Sequence, residues 1–107
     1  MHAQLITYKP AGIDNDRYAA EFIEPFTAYF AGLESLVTKV WFGSSDTPVH
    51  GGFYVWRDKA AMDEFMSSDA AKDIMSREYI TELASQDWPV NVPSSIKCRG
   101  LSAATVA

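Results

Sequence analysis

Two apolar runs flanking a polar segment dominate the pattern of this chain. Residues 37–58 read VTKVWFGSSDTPVHGGFYVWRD, and aromatic and β-branched runs joined by turn-forming residues predict a β-hairpin with a long loop. Alternate side chains of a strand point to opposite faces. One face of the first run therefore carries Val37, Lys39 and Trp41, and the other carries Leu36, Thr38, Val40 and Phe42.

The second run of the hairpin has the same two-sided character. Phe53 and Val55 lie opposite Gly52, Tyr54 and Trp56. Large apolar side chains thus occupy both faces of the predicted hairpin. Neither face is patterned for contact with water, so both need a covering layer.

The segment before the hairpin predicts a strand and then a helix. Alternation over His2 to Lys9 indicates the first strand. Aromatic residues then recur at steps of three and four from Tyr18 to Phe30, which predicts an amphipathic helix. Asp14 or Asp16 is placed to cap its N-terminus. A proline within this segment, Pro25, predicts a bend in the helix.

The segment after the hairpin predicts two helices and a last strand. Asp58 is expected to cap a short helix whose apolar face falls within residues 61–66. Ser67-Ser68-Asp69 then predicts a break and a new cap. A third helix is predicted from about residue 70 to residue 84, from apolar residues at steps of four. Two prolines in residues 88–93 favour an extended segment on the surface. The last strand is then expected near residues 95–101.

These elements predict one α+β domain spanning residues 1–107. The order βαββααβ is typical of ferredoxin-like folds, in which helices cover one face of a four-stranded antiparallel sheet. The helices leave the other apolar face uncovered. We expect that face to be buried against a second copy of the chain about a two-fold axis, in an obligate interface of about 2,000 Å² or more.

Composition narrows the classes of function. The chain is 48% hydrophobic and 21% charged, with a formal net charge of −5 and no cluster of basic residues, which argues against a nucleic-acid-binding protein. Cys98 is the only cysteine, so an intrachain disulfide and a multi-cysteine metal site are excluded, and we expect Cys98 to be a small buried residue of the last strand. With no secretory signal pattern and no apolar run long enough to span a membrane, we expect a cytoplasmic protein without a membrane partner.

Several short motifs together resemble the YdhR-type putative monooxygenases of the dimeric α+β barrel superfamily. The similarity is clearest from about Phe30 to Ser68, and Pro25 also fits the family pattern. The matching residues are Gly32-Leu33, Lys39-Val40-Trp41, His50-Gly51-Gly52, Tyr54, and Asp58-Lys59 with the helix over residues 60–65. The resemblance implies a homodimer with one pocket per subunit between sheet and helices. It also implies oxygenation of a small aromatic or polycyclic phenolic compound by dioxygen, with no flavin, haem or metal.

Such a reaction needs few kinds of residue. It requires a base, a dry cavity lined by aromatic side chains and a donor or cation that stabilises an anionic intermediate. We therefore expect His50, whose ordinary pKa is near neutrality, Lys39 and Tyr54 to be catalytic. The expected substrate contacts are Trp41, Trp56, Tyr29, Phe26 and Met62. No metal-ligating cluster or cofactor motif is evident in the sequence.

Other interpretations of the same residues stay open. His50 is also consistent with a loop histidine, Lys39 with a lysine whose stem lies along the sheet, and the aromatic residues with core or dimer packing. On the same scaffold, the alternatives are an isomerase or lyase and a non-catalytic binding protein for a small hydrophobic metabolite.

Overall fold

The computed structural model describes residues 1–106, which form an antiparallel sheet with its helices packed on one side. The elements in chain order are β1 (His2–Pro10), α1 (Asn15–Tyr18), a π-helical turn (Ala19–Ile23), α2 (Glu24–Ala31), β2 (Leu36–Phe42), β3 (His50–Trp56), α3 (Lys59–Met66), α4 (Asp69–Ser76), β4 (Ile80–Pro89), α5 (Val92–Lys97) and α6 (Ala103–Val106). The strands pair in the order β2–β3–β1–β4. This arrangement confirms the predicted ferredoxin-like α+β fold. Over residues 1–106, every helix falls short of the length and hydropathy of a membrane span.

The predicted hairpin forms with the alternation read from the sequence, except at one residue. Lys39 lies opposite Tyr54, so their side chains share the face that the helices cover. The pairing shifts between Leu36 and Thr38, and Leu36 lies opposite Trp56. The expected placement of Leu36 on the face of Thr38 is therefore wrong, because a bulge changes which face a residue occupies.

The first helix runs through α1, the π-helical turn and α2 without a break. Asp14 caps it by accepting a hydrogen bond from the backbone N–H of Arg17 at 2.8 Å. Pro25 has no N–H to donate to the carbonyl of Glu21, and Nη1 of Arg77 donates to that carbonyl at 2.9 Å. The predicted aromatic face is confirmed: its buried members are Tyr18, Phe22, Phe26 and Phe30.

Two capped helices follow the hairpin, but the second is shorter than predicted. Asp58 caps α3 and Ser68 caps α4 through their side-chain oxygens, as expected from the sequence. The prediction of a helix to residue 84 is wrong, since α4 ends at Ser76 and β4 begins at Ile80.

The helical spacing of this segment comes from a bulge in β4. Glu82 has a positive φ of 52°, and the pairing of β4 with β1 is irregular at this point. Ile80 is buried and Leu83 packs against the same core, although they are three residues apart. The extra residue of a bulge lets both face the helices, so a strand acquires the i, i+3 spacing of a helix.

The predicted strand over residues 95–101 is also wrong. Trp88 and Pro89 complete β4, where proline is tolerated because β4 lies at an edge of the sheet. Asn91 then caps α5, and Pro93 lies in its first turn, a position that suits proline. Cys98, expected to be a buried strand residue, follows α5 and is exposed.

The core lies between the helices and one face of the sheet. The other face is open in part, since Ala3 and Val55 on it are buried outside that core. By the strand register, Val40 and Phe53 face away from the helices, with 53% and 38% of their surface exposed, and Trp88 on the same face is 47% exposed. We call the exposed part of this face, which carries Val40, Phe53 and Trp88, the open sheet face. One protomer therefore exposes several large apolar side chains on this face to its surroundings.

Candidate functional site

Lys39 lies in a cage of aromatic rings on the helix-covered face of the sheet. Its ammonium nitrogen is 4.2 Å from the ring centre of Phe30, 4.0 Å from that of Trp41 and 3.7 Å from that of Tyr54. Gly52 provides the room, since a Cβ there would lie 2.7 Å from Nζ. The hairpin register, which the sequence left open, thus brings Lys39, Trp41 and Tyr54 together.

The charge of Lys39 is poorly compensated by the protein. Among residues 1–106 it forms no ion pair, and burial lowers its pKa from 10.5 to about 7. The three ring faces favour the charged ammonium and oppose this shift. Lys39 is therefore able to take up or release a proton near neutral pH.

A cleft of about 380 Å³ lies beside Lys39. This volume is within the range of small-molecule sites. We call it the lysine cleft; its lining residues are Thr27, Phe30, Ala31, Leu33, Leu36, Val37, Thr38, Lys39 and Trp41. Lys39 is the only ionisable side chain of this lining, so an anionic group bound here would meet one cation in a wall of mixed apolar and polar residues that includes Thr27 and Thr38.

His50 lies on the far side of Trp41, in a second cleft of about 260 Å³ that also includes Tyr18. Its Nε2 is 3.1 Å from the carbonyl oxygen of Thr47. Because a carbonyl only accepts, Nε2 of His50 is the donor in this contact. Gly43, with φ +107°, leaves space for this ring, since a Cβ there would lie 2.8 Å from Nδ1.

Two tyrosines that the sequence analysis did not single out as site residues link this region to the core. The hydroxyls of Tyr8 and Tyr18 share a buried hydrogen bond of 2.6 Å, and the ring of Tyr18 meets His50 edge-on, with centres 5.4 Å apart. Burial raises the pKa of both tyrosines. Both hydroxyls are therefore neutral near pH 7. This contact joins β1 to the first helix, so it depends on tertiary packing and could not be predicted from the sequence pattern.

A small apolar cavity lies between the sheet and the helices, where the family resemblance implies a pocket. Its volume is about 30 Å³, because large rings fill most of the space. We call it the central cavity; its lining residues are Ile6, Tyr8, Phe22, Phe30, Trp41, Gly51, Tyr54, Phe65, Met66, Ala71, Ile74, Met75 and Leu83. Burial raises the pKa of Tyr54, so its hydroxyl is a neutral donor.

The other expected substrate contacts lie in the core. Trp56 is 0% exposed, and its indole N–H donates to Oε1 of Gln4 at 2.9 Å. Phe26 and Met62 are buried in the same core, with Tyr29 partly buried beside them. Of the five expected substrate contacts, only Trp41 lines the cavities described above.

A polar network at the other end of β1 was not anticipated. Nε2 of the buried His2 donates to Oδ2 of Asp87 at 2.6 Å. Gln4 donates to Oγ of Ser85 at 3.0 Å in addition to its bond with Trp56. Alternation along β1 places His2 and Gln4 on the inner face, which is the signal that predicts their burial.

No cluster of three or more His, Cys, Asp or Glu side chains is placed to hold a metal ion within residues 1–106. Of the three side chains expected to be catalytic, Lys39 and Tyr54 are in contact. His50 lines a different cleft, although Trp41 forms part of the wall of both clefts.

Comparisons with known proteins identify the kind of protein to which this site belongs. The family model described as "Putative mono-oxygenase ydhR" matches residues 6–101, which is most of the chain. No curated protein matches the sequence significantly.

Similar folds occur in several solved structures. Rv0793 from Mycobacterium tuberculosis is 16% identical with a TM-score of 0.67, covering 84% of this chain and 95% of its own. A putative antibiotic biosynthesis monooxygenase from Deinococcus radiodurans is 12% identical with a TM-score of 0.63, covering 85% and 93%. SnoaB from Streptomyces nogalater, described as a cofactor-independent oxygenase, is 15% identical with a TM-score of 0.61, covering 84% and 92%. At these identities the similarity establishes a shared fold.

Proposed function

Because the chain belongs to the YdhR family of putative mono-oxygenases, we propose that it oxygenates a small aromatic or polycyclic phenolic compound with dioxygen and without a cofactor. The supporting observation is the poorly compensated amine of Lys39 at the wall of the lysine cleft. The cofactor-independent activity named for SnoaB, which shares the fold, supports the choice of reaction.

The proposed chemistry needs no external reductant. A phenol whose ring flanks an activated CH₂ group loses a proton, and the resulting anion gives an electron to dioxygen. The carbon radical and superoxide then combine, and a proton converts the peroxide to a hydroperoxide. Loss of water leaves a C=O group, so one oxygen atom enters the product and the other leaves as water. The protein has to supply a base, an anion-binding group and a dry site.

Lys39 is suited to two of these tasks. With a pKa of about 7, its neutral amine is populated at the pH where a general base is most effective. After taking the proton it becomes the ammonium that pairs with the phenolate or enolate. Tyr54, whose ring lies against the amine, lines the central cavity and is proposed to donate its hydroxyl to the reacting oxygen on that side of the amine.

His50 is the alternative base, acting through Nδ1 on a substrate that reaches the second cleft. Lys39→Met and His50→Ala distinguish the two assignments, because the two side chains lie on opposite sides of Trp41. The variant that removes the true base is expected to lose about 10²-fold or more in rate.

The test is dioxygen uptake with an anthrone-type substrate in chelator-treated, flavin-free buffer, corrected for autoxidation. We expect one dioxygen consumed per product by the wild-type protein and by Lys59→Met, a control on an exposed lysine. Lys39→Met and Tyr54→Phe should be slower. Absence of uptake by the wild-type protein would reject the proposal. So would a wild-type rate of uptake in all three variants, Lys39→Met, Tyr54→Phe and His50→Ala. Turnover that persists without oxygen would instead indicate an isomerase or lyase, and saturable binding without product would indicate a binding protein.

We further propose that the working form is a homodimer joined through the open sheet face. The exposure of Val40, Phe53 and Trp88 on that face supports this assembly, since the helices already cover the opposite face. Burial of such side chains against a second copy removes apolar area from water at about 25 cal/mol per Å². Two-fold symmetry then closes the assembly at two protomers.

A further inference from the structure

We propose that the central cavity binds dioxygen and holds it next to the lysine cleft. The first observation is its size: about 30 Å³ accommodates a diatomic gas or one to two waters. It is far below the 300 Å³ or more typical of sites for aromatic ligands. The cavity is therefore too small for the proposed aromatic substrate and large enough for dioxygen.

The second observation is the chemistry of the wall. Hydrocarbon, aromatic and thioether groups form almost all of it, and of its two hydroxyls that of Tyr8 is already bonded to Tyr18. A buried water needs two to four polar partners, whereas apolar cavities remain dry and bind apolar gases. The wall thus favours dioxygen over water.

The third observation is position. Phe30 and Trp41 line both the central cavity and the lysine cleft, so a single layer of side chains separates the two spaces. Met75, half exposed, also lines the cavity, so this side of the cavity lies near the protein surface. Gas binding itself does not depend on the proposed function; delivery of dioxygen to a substrate anion at Lys39 rests on it.

The direct test is nuclear magnetic resonance of the methyl groups under increasing dioxygen pressure. Bound dioxygen is paramagnetic and accelerates the relaxation of nearby nuclei. We expect a saturable enhancement at Ala71, Ile74 and Leu83, at least several-fold above that of the exposed Val49. An enhancement that is linear in pressure, or no larger than at Val49, would overturn the proposal.

The second measurement uses a variant whose larger side chain fills the central cavity. Ala71 is buried in the cavity wall, so Ala71→Leu should abolish the local enhancement, while Ala70→Leu on the same helix should retain it. Ala71→Val serves if the larger side chain prevents folding. Persistence of the enhancement in a folded Ala71 variant would contradict the assignment.

If oxygenase activity is present, the KM for dioxygen should rise at least about fivefold in the Ala71 variant, while the KM for the aromatic substrate stays unchanged. An unchanged KM for dioxygen would overturn delivery from the cavity. If the protein binds dioxygen saturably but oxidises no substrate, the proposed function is wrong and the proposed dioxygen site is still supported.

Discussion

Lys39→Met tests whether the aromatic cage holds an uncompensated amine. Burial lowers the pKa of Lys39 from 10.5 to about 7, so between these values the unfolded chain binds a proton that the folded protein does not. The contribution of Lys39 to stability is then most favourable above pH 10.5 and is lost as the pH falls to 7. Methionine keeps the length of the side chain and its contact with the rings and removes this pH dependence.

The magnitude follows from the two pKa values. One pKa unit corresponds to about 1.4 kcal/mol, so the cost of burying the amine falls by about 3 kcal/mol between about pH 6.5 and about pH 9.5. Cation–π contacts of about 2 kcal/mol with the desolvated rings raise the pKa of the amine and reduce this change to about 1.5 kcal/mol. The expected change is therefore about 1.5 to 3 kcal/mol.

Urea unfolding at the two pH values, at equal protein concentrations, measures this change. Lys39→Met should be more stable than wild type at the lower pH, by a margin that shrinks at the higher pH. Lys59→Met is the matched control, because the Lys59 side chain is 62% exposed. Its difference from wild type should be the same at both pH values. A Lys39→Met difference that is equally independent of pH would refute the reasoning.

Three further predictions concern the core, the open sheet face and the second cleft. Gln4→Leu leaves the indole N–H of Trp56 buried without its acceptor and should lower the free energy of unfolding by about 1–3 kcal/mol; unchanged urea stability would argue against this bond. Phe53→Lys should convert a dimer into a monomer of 11.9 kDa in sedimentation experiments, and a dimer of unaltered affinity would exclude the open sheet face as the interface. Gly43→Ala forces a side chain into left-handed backbone and against His50, so the imidazole resonances should shift and stability should fall by about 1–3 kcal/mol. Unshifted imidazole resonances would show that the His50 ring does not lie against residue 43.

The sequence pattern predicted the parts of the fold that depend on local periodicity. Strict alternation from Val37 to Phe42 placed Lys39 and Trp41 on one face, and the structure pairs Lys39 with Tyr54 on that face. Caps at Asp58 and Ser68 were also evident, because a cap is a contact over three residues. Such features need no knowledge of the rest of the chain.

The wrong helix end and the wrong last strand have a common origin in the bulge of β4. At Glu82 the period of two is interrupted, and the remaining apolar positions imitate a helix. Extending that helix to residue 84 covers half of the true β4, and the last strand is then predicted near residues 95–101, which overlap the end of α5. A bulge depends on pairing with a distant strand, so a local pattern cannot reveal it.

Some features of the site could likewise be predicted from the sequence, and others depend on tertiary structure. The kinds of residue near the hairpin were evident from the sequence, but the cage of Lys39 requires Phe30 from a helix. The contact of Tyr8 with Tyr18 likewise requires β1 to meet α1.

The amino-acid order by itself therefore determined the alternation, the caps and the presence of a cation among aromatic residues, because each is set by neighbours within one turn or one strand. Only the tertiary structure decided that this cation has no acidic partner within residues 1–106, that Trp41 stands between it and His50, and that the space under the helices is small. Those properties depend on packing between distant segments, where the loss of water from a single amine is enough to change its protonation.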